Sequence, residues 1–235
     1  MSLPVIVTRA LPGAAETAAR LKSAGHKPIL SPALTLEPLG AELDLAGVTD
    51  LVFTSANGVR YFPAVSKTVS RVWCVGEATA DAARKAGWAG VREGNGNAME
   101  LAAHIIASPG ARTGVFLHIA NEAAAGDLVA RLTAAGVNAR FAALYRTVPV
   151  AAVSDAAASA LTREARVVIL VHSAKGAAAF RNAARGLDFR RSVVVAISEA
   201  ASGPLVGCGA RAVVNAAHPS ETALREALDA AILAL

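Results

Sequence analysis

One arrangement of residues occurs twice in this chain and constrains its fold more than any other feature. The stretch "DLVFTSANGVRYF" (residues 50–62) runs an apolar segment into Ser-Ala-x-Gly and then into spaced apolar positions. The stretch "RVVILVHSAKGAAAF" (residues 166–180) repeats this order. An apolar run that meets a serine and then a periodic segment is typical of a buried strand turning directly into a helix. The sequence therefore predicts two copies of one strand-to-helix unit.

The duplication extends over most of the chain. Residues 4–38 and 113–149 each contain an apolar run, a polar loop, an Ala/Leu/Arg-rich segment and a second extended run, and "AARLKSAG" in the first matches "VARLTAAG" in the second. Gly25 and Gly136 stand where the C-terminal caps of the two helices are expected. The segment after each Ser-Ala corner also repeats, with a final amphipathic helix predicted over 98–107 in the first copy. The order of segments is thus a, b, a′, b′.

The apolar runs predict the class of sheet. "VVILV" and "VVVAI" do not alternate with polar residues, which favours parallel strands buried on both faces by helices. One a segment and one b segment together supply a five-stranded α/β sheet with a flavodoxin-like order of elements. The repetition leaves two pairings open: each a can join the b that follows it, or the first a can join b′ around an inserted b–a′ domain.

Composition excludes several classes of protein. The 235 residues are 54% hydrophobic and 17% charged, so a disordered chain is excluded and two small domains each have enough residues for a core. Cys74 and Cys208 lie among apolar and small residues and are predicted to be buried and unpaired, which fits a cytoplasmic location. No secretory signal is recognisable, and the apolar end contains charges and is too short to cross a membrane.

The net charge of +5 does not by itself identify a partner. Basic residues are scattered singly and no Lys/Arg block or set of stacking aromatics occurs, so a nucleic-acid partner is not favoured. An anionic small molecule accounts for the basic excess equally well.

The two Ser-Ala corners are candidate anion sites. Ligands of open α/β sheets bind beyond the carboxyl ends of the strands, where loops enter helix N-termini and backbone N–H groups are free to donate. A serine at such a corner can also serve only as an N-cap for its own helix. The residues concerned are Ser55, Ala56 and Asn57 in the first corner and Ser173, Ala174 and Lys175 in the second.

No conventional catalytic group accompanies these corners. The sequence contains no G-x-S-x-G elbow, H-E-x-x-H motif or phosphate-binding loop, and its five histidines have no metal-ligand spacing. His172 precedes Ser173, and a structural role is favoured for it. Tyr145, in "ALYRTVP", is one of only two tyrosines; from its position it is equally consistent with packing and with hydrogen-bond donation to a ligand. The absence of a nucleophile–base pair favours chemistry carried mainly by the substrate.

Taken in order, these segments resemble the uroporphyrinogen-III synthase family over nearly the whole chain. The segments that carry the resemblance are "VIVTRA", "LVFTSANGVRYF", "VWCVGEATADAARKAG", "LVARLTAAGV" with "LYRT", "VVILVHSAKGAAAF" and "HPSETALREAL". The resemblance implies two flavodoxin-like α/β domains with parallel sheets, joined by a two-stranded linker, with the active-site cleft between them. It also implies the crossed pairing, with residues 1–36 and 149–235 in one domain and 37–148 in the other.

The resemblance implies an activity without cofactor or metal. Members of the family convert hydroxymethylbilane, a linear tetrapyrrole with eight carboxylates, into uroporphyrinogen III with inversion of ring D. Loss of the ring-A hydroxyl gives an azafulvene, attack by ring D gives a spiro intermediate, and fragmentation and reclosure complete the macrocycle. The substrate closes unaided to the uninverted isomer, so the protein has to hold the carboxylates and assist the departing hydroxyl.

The resemblance also assigns roles to residues. Tyr145 matches the tyrosine that assists departure of the hydroxyl, and Thr79 in "GEATA" matches a threonine that faces the substrate, while Arg9 and Lys175 add positive charge. The chain departs from the family at "AISEAAS", where only Ser198 remains as a donor and Glu199 is expected to point away or to cap the helix. A monomer is expected, with transient contact to the preceding enzyme of the pathway. The alternative hypothesis is a two-domain protein that binds a small polycarboxylate or other anion without catalysis.

Overall fold

The computed structural model describes residues 3–63, 69, 71–124 and 127–234. The chain divides into two compact units. Unit 1 contains Met1–Leu36 and Val148–Leu235, and unit 2 contains Glu37–Thr147. Each unit is built on a largely parallel sheet with helices in its connections, so the predicted α/β class is confirmed.

Unit 1 contains a five-stranded parallel sheet in the order β11-β10-β9-β1-β2. Its strands are β1 (Pro4–Val7), β2 (Lys27–Leu30), β9 (Val167–Val171), β10 (Ser192–Ala196) and β11 (Ala212–Asn215). Its helices are α1 (Gly13–Ser23), α6 (Asp155–Arg163), α7 (Ala174–Ala183), α8 (Glu199–Ser202) with the 3₁₀ turn Gly203–Leu205, and α9 (Glu221–Leu233). Strands from both ends of the chain therefore meet in one sheet, because β1 pairs with β9.

Unit 2 contains a six-stranded sheet in the order β3-β8-β7-β4-β5-β6. Its strands are β3 (Leu34–Pro38), β4 (Asp50–Phe53), β5 (Arg71–Cys74), β6 (Val91–Glu93), β7 (Val115–Asn121) and β8 (Asn138–Pro149). Its helices are α2 (Ala56–Tyr61), α3 (Glu77–Lys85), α4 (Ala98–Ala107), the 3₁₀ turn Glu122–Ala124, and α5 (Asp127–Ala134). Neighbouring strands β3 and β8 are the two segments along which the chain passes from one unit to the other.

The central strands of unit 1 are buried on both faces, as their uninterrupted apolar runs predict. Alternate residues of β9 enter different cores: Ile169 packs in one cluster with Phe180, while Leu170 packs in another with Leu224. This division follows from the two-residue period of a strand, which sends successive side chains to opposite faces. Because both faces carry helices, a polar residue in these strands needs a hydrogen-bond partner, as Ser192 at the start of β10 shows by donating from Oγ to the Phe189 carbonyl at 2.7 Å.

Local signals in the sequence define the helix ends. The predicted helix over 98–107 is confirmed as α4, which begins after the cap Asn97, whose Oδ1 accepts from the Glu100 amide at 2.8 Å. Gly25 and Gly136 follow helices with φ of 84° and 78°, the left-handed conformation that glycine adopts without strain. Helices such as α2, α7 and α8 begin directly after β4, β9 and β10, so their capping serines lie at the carboxyl edge of the sheet.

Candidate active site

Three predicted corners of unit 1 lie at one edge of its sheet. Arg9 follows β1, Ser173 follows β9 and Ser198 follows β10, and these three parallel strands are neighbours in the sheet. The carboxyl ends of parallel neighbours lie at the same edge, so the fold assembles residues that are far apart in sequence. This edge is where open α/β sheets bind ligands.

The serines of unit 1 cap the helices they precede. Ser173 Oγ accepts a hydrogen bond from the Gly176 amide at 3.1 Å, and Ser198 Oγ accepts one from the Ala201 amide at 3.2 Å. Each hydroxyl is thereby engaged as a cap, while the first-turn N–H groups of a helix have no acceptor within the helix. Ala174 and Lys175 form the exposed start of α7, a ten-residue helix. Any carboxylate at this corner meets backbone donors and the lysine, rather than a serine nucleophile.

Arg9 is held in place by a carboxylate of its own unit. Its Nη1 donates to Glu221 Oε1 at 2.7 Å and to Thr17 Oγ1 at 3.4 Å, and Arg20 binds the other oxygen of Glu221 at 3.1 Å. His172 Nε2 lies 3.6 Å from Glu221 Oε1, which is longer than a hydrogen bond. A ligand carboxylate would therefore share the Arg9 guanidinium with Glu221.

The polar neighbours of Glu221 keep its carboxyl group ionised. The adjacent His172, with smaller contributions from Arg9 and Arg20, lowers the pKa of Glu221 to about 2 despite its partial burial. The side chain of His172 is only 8% exposed, and neither ring nitrogen has a hydrogen-bond partner among the described residues. The structural role expected for His172 stays a prediction.

The equivalent corner of unit 2 contains Ser55, Ala56 and Asn57. Ser55 caps α2, and its Oγ accepts from the Asn57 amide at 3.2 Å. Thr79 lies in the first turn of α3, after the neighbouring strand β5, and is 5% exposed. Like Arg9, Ser173 and Ser198 in unit 1, these residues lie at the carboxyl edge of adjacent strands, β4 and β5.

Tyr145 lies beside the first corner of unit 2. It is 4% exposed, and its ring stacks on the ring of Tyr61 with centroids 5.0 Å apart and planes 16° apart. Burial raises the pKa of the Tyr145 phenol, while hydrogen bonds from the Ser55 side chain and the Asn121 main chain act in the opposite direction. The phenol therefore keeps its proton near neutral pH and is a hydrogen-bond donor, not a base.

Sequence reasoning missed Tyr61, Asn121 and Glu221. Tyr61 had a signal, since it is the other tyrosine of a chain that contains two. Glu221 follows Ser220, which caps α9, and an acidic residue in a first turn is ordinarily explained by the helix dipole alone. Only the fold brings Glu221 to Arg9, across 212 positions of sequence.

The described residues offer no metal site. No group of three or more His, Cys, Asp or Glu side chains within ranges 3–63, 71–124 and 127–234 has the geometry to hold an ion. Burial raises the pKa of the Cys74 thiol to about 12, which makes this thiol unreactive. Cys208 is only partly buried, so the prediction that both cysteines are buried is confirmed for Cys74 and wrong for Cys208. No helix of the described ranges has the length and apolar character needed to cross a membrane.

These features define a two-domain α/β protein, with helix starts at the carboxyl edge of each sheet and a buried phenol beside one of them. A family model described as uroporphyrinogen-III synthase HemD matches residues 15–226. The chain belongs to the uroporphyrinogen-III synthase family, the cyclising hydro-lyases of heme biosynthesis.

Two solved structures are similar to this chain, and the first of them, with a TM-score above 0.5, supports the fold. A uroporphyrinogen-III synthetase from Helicobacter pylori 26695 matches with a TM-score of 0.65 and 17% identity, over 99% of this chain and 100% of that chain. A mutant uroporphyrinogen III synthase from the extremely thermophilic bacterium Thermus thermophilus matches with a TM-score of 0.49 and 16% identity, over 100% of both chains. No curated protein sequence matches this chain significantly.

Proposed function

We propose that this chain converts hydroxymethylbilane to uroporphyrinogen III with inversion of ring D, and that Tyr145 is the catalytic residue that assists departure of the substrate hydroxyl. The observation that carries the proposal is the placement of a buried, protonated phenol next to the Ser55 corner, in a chain whose family model spans residues 15–226. When the C–O bond breaks, both bonding electrons leave with the oxygen. A phenol O–H stabilises that developing charge by hydrogen bonding.

The two corners are proposed to bind substrate carboxylates. The first consists of Ser55, Ala56, Asn57 and Thr79, and the second of Arg9, Ser173, Ala174, Lys175 and Ser198. The substrate brings eight carboxylates, enough for the donors of either corner, and the cations of unit 1 add charge attraction. Holding several carboxylates restrains an otherwise flexible linear molecule and favours the closure that inverts ring D. Catalysis is expected to need no metal or cofactor, which a chelator-treated sample would test by keeping full activity.

The product-isomer assay tests the activity. Freshly generated hydroxymethylbilane is incubated with the protein and the products are separated into type I and type III isomers. Type III product in excess of the protein concentration supports the proposal. Saturable binding of the substrate with only type I product would favour the non-catalytic binding protein instead.

Tyr145→Phe tests the assigned residue. Loss of one hydrogen bond that strengthens in the transition state is worth one or two kcal/mol, so turnover is expected to fall roughly tenfold. Unchanged tryptophan fluorescence establishes that the variant is folded. A wild-type turnover number in the folded variant would remove Tyr145 from the mechanism.

The proposal extends to a monomer in the cytoplasm that receives its substrate from the preceding enzyme of the pathway. Hydroxymethylbilane closes unaided to the wrong isomer, and a short transfer between enzymes limits this loss. Adding the preceding enzyme with its own substrate should then yield a higher type III fraction than adding the same amount of free hydroxymethylbilane. Equal fractions would contradict direct transfer.

A further inference from the structure

The two tyrosines of this chain form one stacked pair. Tyr61 is the last residue of α2, and its ring lies nearly parallel to that of Tyr145 at 5.0 Å between centroids. The same six-residue helix begins after Ser55, whose side chain hydrogen-bonds Tyr145. Helix α2 therefore contacts Tyr145 at both of its ends.

The hydrogen bonds at the Tyr145 oxygen have a defined direction. Ser55 Oγ accepts from the Asn57 amide at 3.2 Å, and the single Ser55 proton is then free to donate to Tyr145. The Asn121 main chain also donates to the phenol oxygen. Both groups favour the charged form of the phenol oxygen, so the Tyr145 proton is best placed when it points away from them.

An irregular strand register brings Tyr145 to this position. Ala120 pairs with Ala143 across β7 and β8, yet the next residue, Asn121, pairs with Tyr145, so Leu144 is an extra residue in β8. A bulge of this kind changes the direction in which the following side chain points. Leu144 and Tyr145 are accordingly both buried, at 5% and 4% exposure.

We propose that Tyr61 and Ser55 are positioning residues that fix the ring plane of Tyr145 and direct its hydroxyl proton towards the departing substrate oxygen. The inference rests on the proposed role of Tyr145. Tyr61 restricts rotation of the ring by stacking, and Ser55 occupies an acceptor position of the oxygen. Neither residue needs to touch the substrate for this role.

Substitution of Tyr61 tests the stacking. Tyr61→Phe keeps the ring, and Tyr61→Leu keeps an apolar side chain but removes the ring. Without the stack the Tyr145 ring rotates out of its productive plane, so kcat of Tyr61→Leu should fall roughly three- to tenfold with little change in KM, while Tyr61→Phe should retain most of the wild-type kcat. The double variant Tyr61→Leu/Tyr145→Phe should be no slower than Tyr145→Phe, since both changes remove one function.

Substitution of Ser55 tests the hydrogen bond. Because Tyr61→Phe leaves Tyr145 as the only tyrosine, tyrosinate absorbance in that background reports the pKa of Tyr145 directly. Adding Ser55→Ala should raise this pKa, since a donor to the phenolate is lost. Asn97→Ala removes a comparable helix cap in the same unit and should leave the titration unchanged.

The outcomes separate this inference from the proposed function. A Tyr61→Leu protein with wild-type kcat, a rate loss that multiplies with that of Tyr145→Phe, or a titration unaffected by Ser55→Ala would overturn the positioning roles. If Tyr145→Phe itself has wild-type kcat, the assignment of Tyr145 fails first. Should Tyr61→Leu not fold, the titration of Tyr61→Phe with and without Ser55→Ala still decides between these outcomes.

Discussion

Acidification should destabilise unit 2 through one buried histidine. His118 lies in β7 and is 2% exposed, with Nε2 2.9 Å from Thr54 Oγ1 and an edge contact to the Phe141 ring. Its Nδ1 is buried and has no hydrogen-bond partner in the described part of the chain. Burial lowers the pKa of His118 from 6.5 to about 4, because the charged ring would lose its hydration without gaining a second partner.

The size of the effect follows from proton linkage. The unfolded chain takes up a proton at this histidine near pH 6.5, whereas the folded unit resists protonation until about pH 4. Above pH 6.5 His118 is neutral in both the folded and the unfolded state, so the free energy of unfolding keeps its full value. As the pH falls from 6.5 towards 4, only the unfolded chain takes up the proton, and the free energy of unfolding decreases. The loss in unfolding free energy amounts to about 2 kcal/mol at pH 5 and about 3 kcal/mol at pH 4.

Tryptophan fluorescence measures this loss in unit 2 alone. The two tryptophans of the chain, Trp73 and Trp88, both lie in unit 2. Denaturant titrations followed by their emission at a series of pH values between 7 and 4.5 give the free energy of unfolding of that unit. The expected curve falls with a slope approaching one proton per molecule below pH 6.

His118→Gln supplies the decisive comparison. Glutamine can still hydrogen-bond Thr54 but does not titrate, so the fall in stability between pH 6.5 and 4.5 should largely disappear. His104→Gln, which changes the exposed histidine of the same unit, should retain the wild-type slope. The reasoning is refuted if His118→Gln and the wild type lose stability in parallel over this range.

Two further substitutions test the packing around charged groups. A Cβ at position 13 would lie 2.7 Å from Arg9 Nε, so Gly13→Ala should displace the Arg9 guanidinium and raise KM several-fold. The melting temperature should stay unchanged or rise, since alanine favours a helix more than glycine does. An unchanged KM would remove Arg9 from substrate binding. Asp50 is fully buried and accepts hydrogen bonds from Arg71 at 2.7 Å and from Trp73 Nε1 at 2.8 Å. Asp50→Asn should therefore lower the free energy of unfolding of unit 2 by about 3 kcal/mol, measured by denaturant titration. A decrease of less than about 1 kcal/mol would contradict this reasoning.

The elements of the fold could be predicted because their signals are local. An apolar run such as "VVILV" needs cover on both faces, and Ser55 and Ser173 cap the helices that follow them, as their positions at the ends of such runs indicate. Asn97 likewise marks the start of α4. These signals act over a few residues, through N–H groups that must be satisfied and side chains that must be buried, so one sequence is enough to recognise them.

The candidate site could be predicted only in part. Tyr145 was recognised through its resemblance to a family tyrosine, yet its position alone was equally consistent with packing. Its stacking on Tyr61 depends on an extra residue in β8, and no periodicity in the sequence distinguishes Leu144 as that residue. The contact of Arg9 with Glu221 could not be predicted either, since it joins the loop after β1 to the first residue of α9, near opposite ends of the chain.

The sequence by itself determined the strands, the helix starts and the repeated order a, b, a′, b′, because each depends on neighbouring residues. Only the tertiary structure decided which copies combine: β1 pairs with β9, and β4 pairs with β7, so each sheet joins one a-type and one b-type segment that repetition alone could not match. The reason is physical. Both pairings bury the same apolar pattern and form the same main-chain ladders, so the choice depends on side-chain packing between segments far apart in the sequence, which no local pattern records.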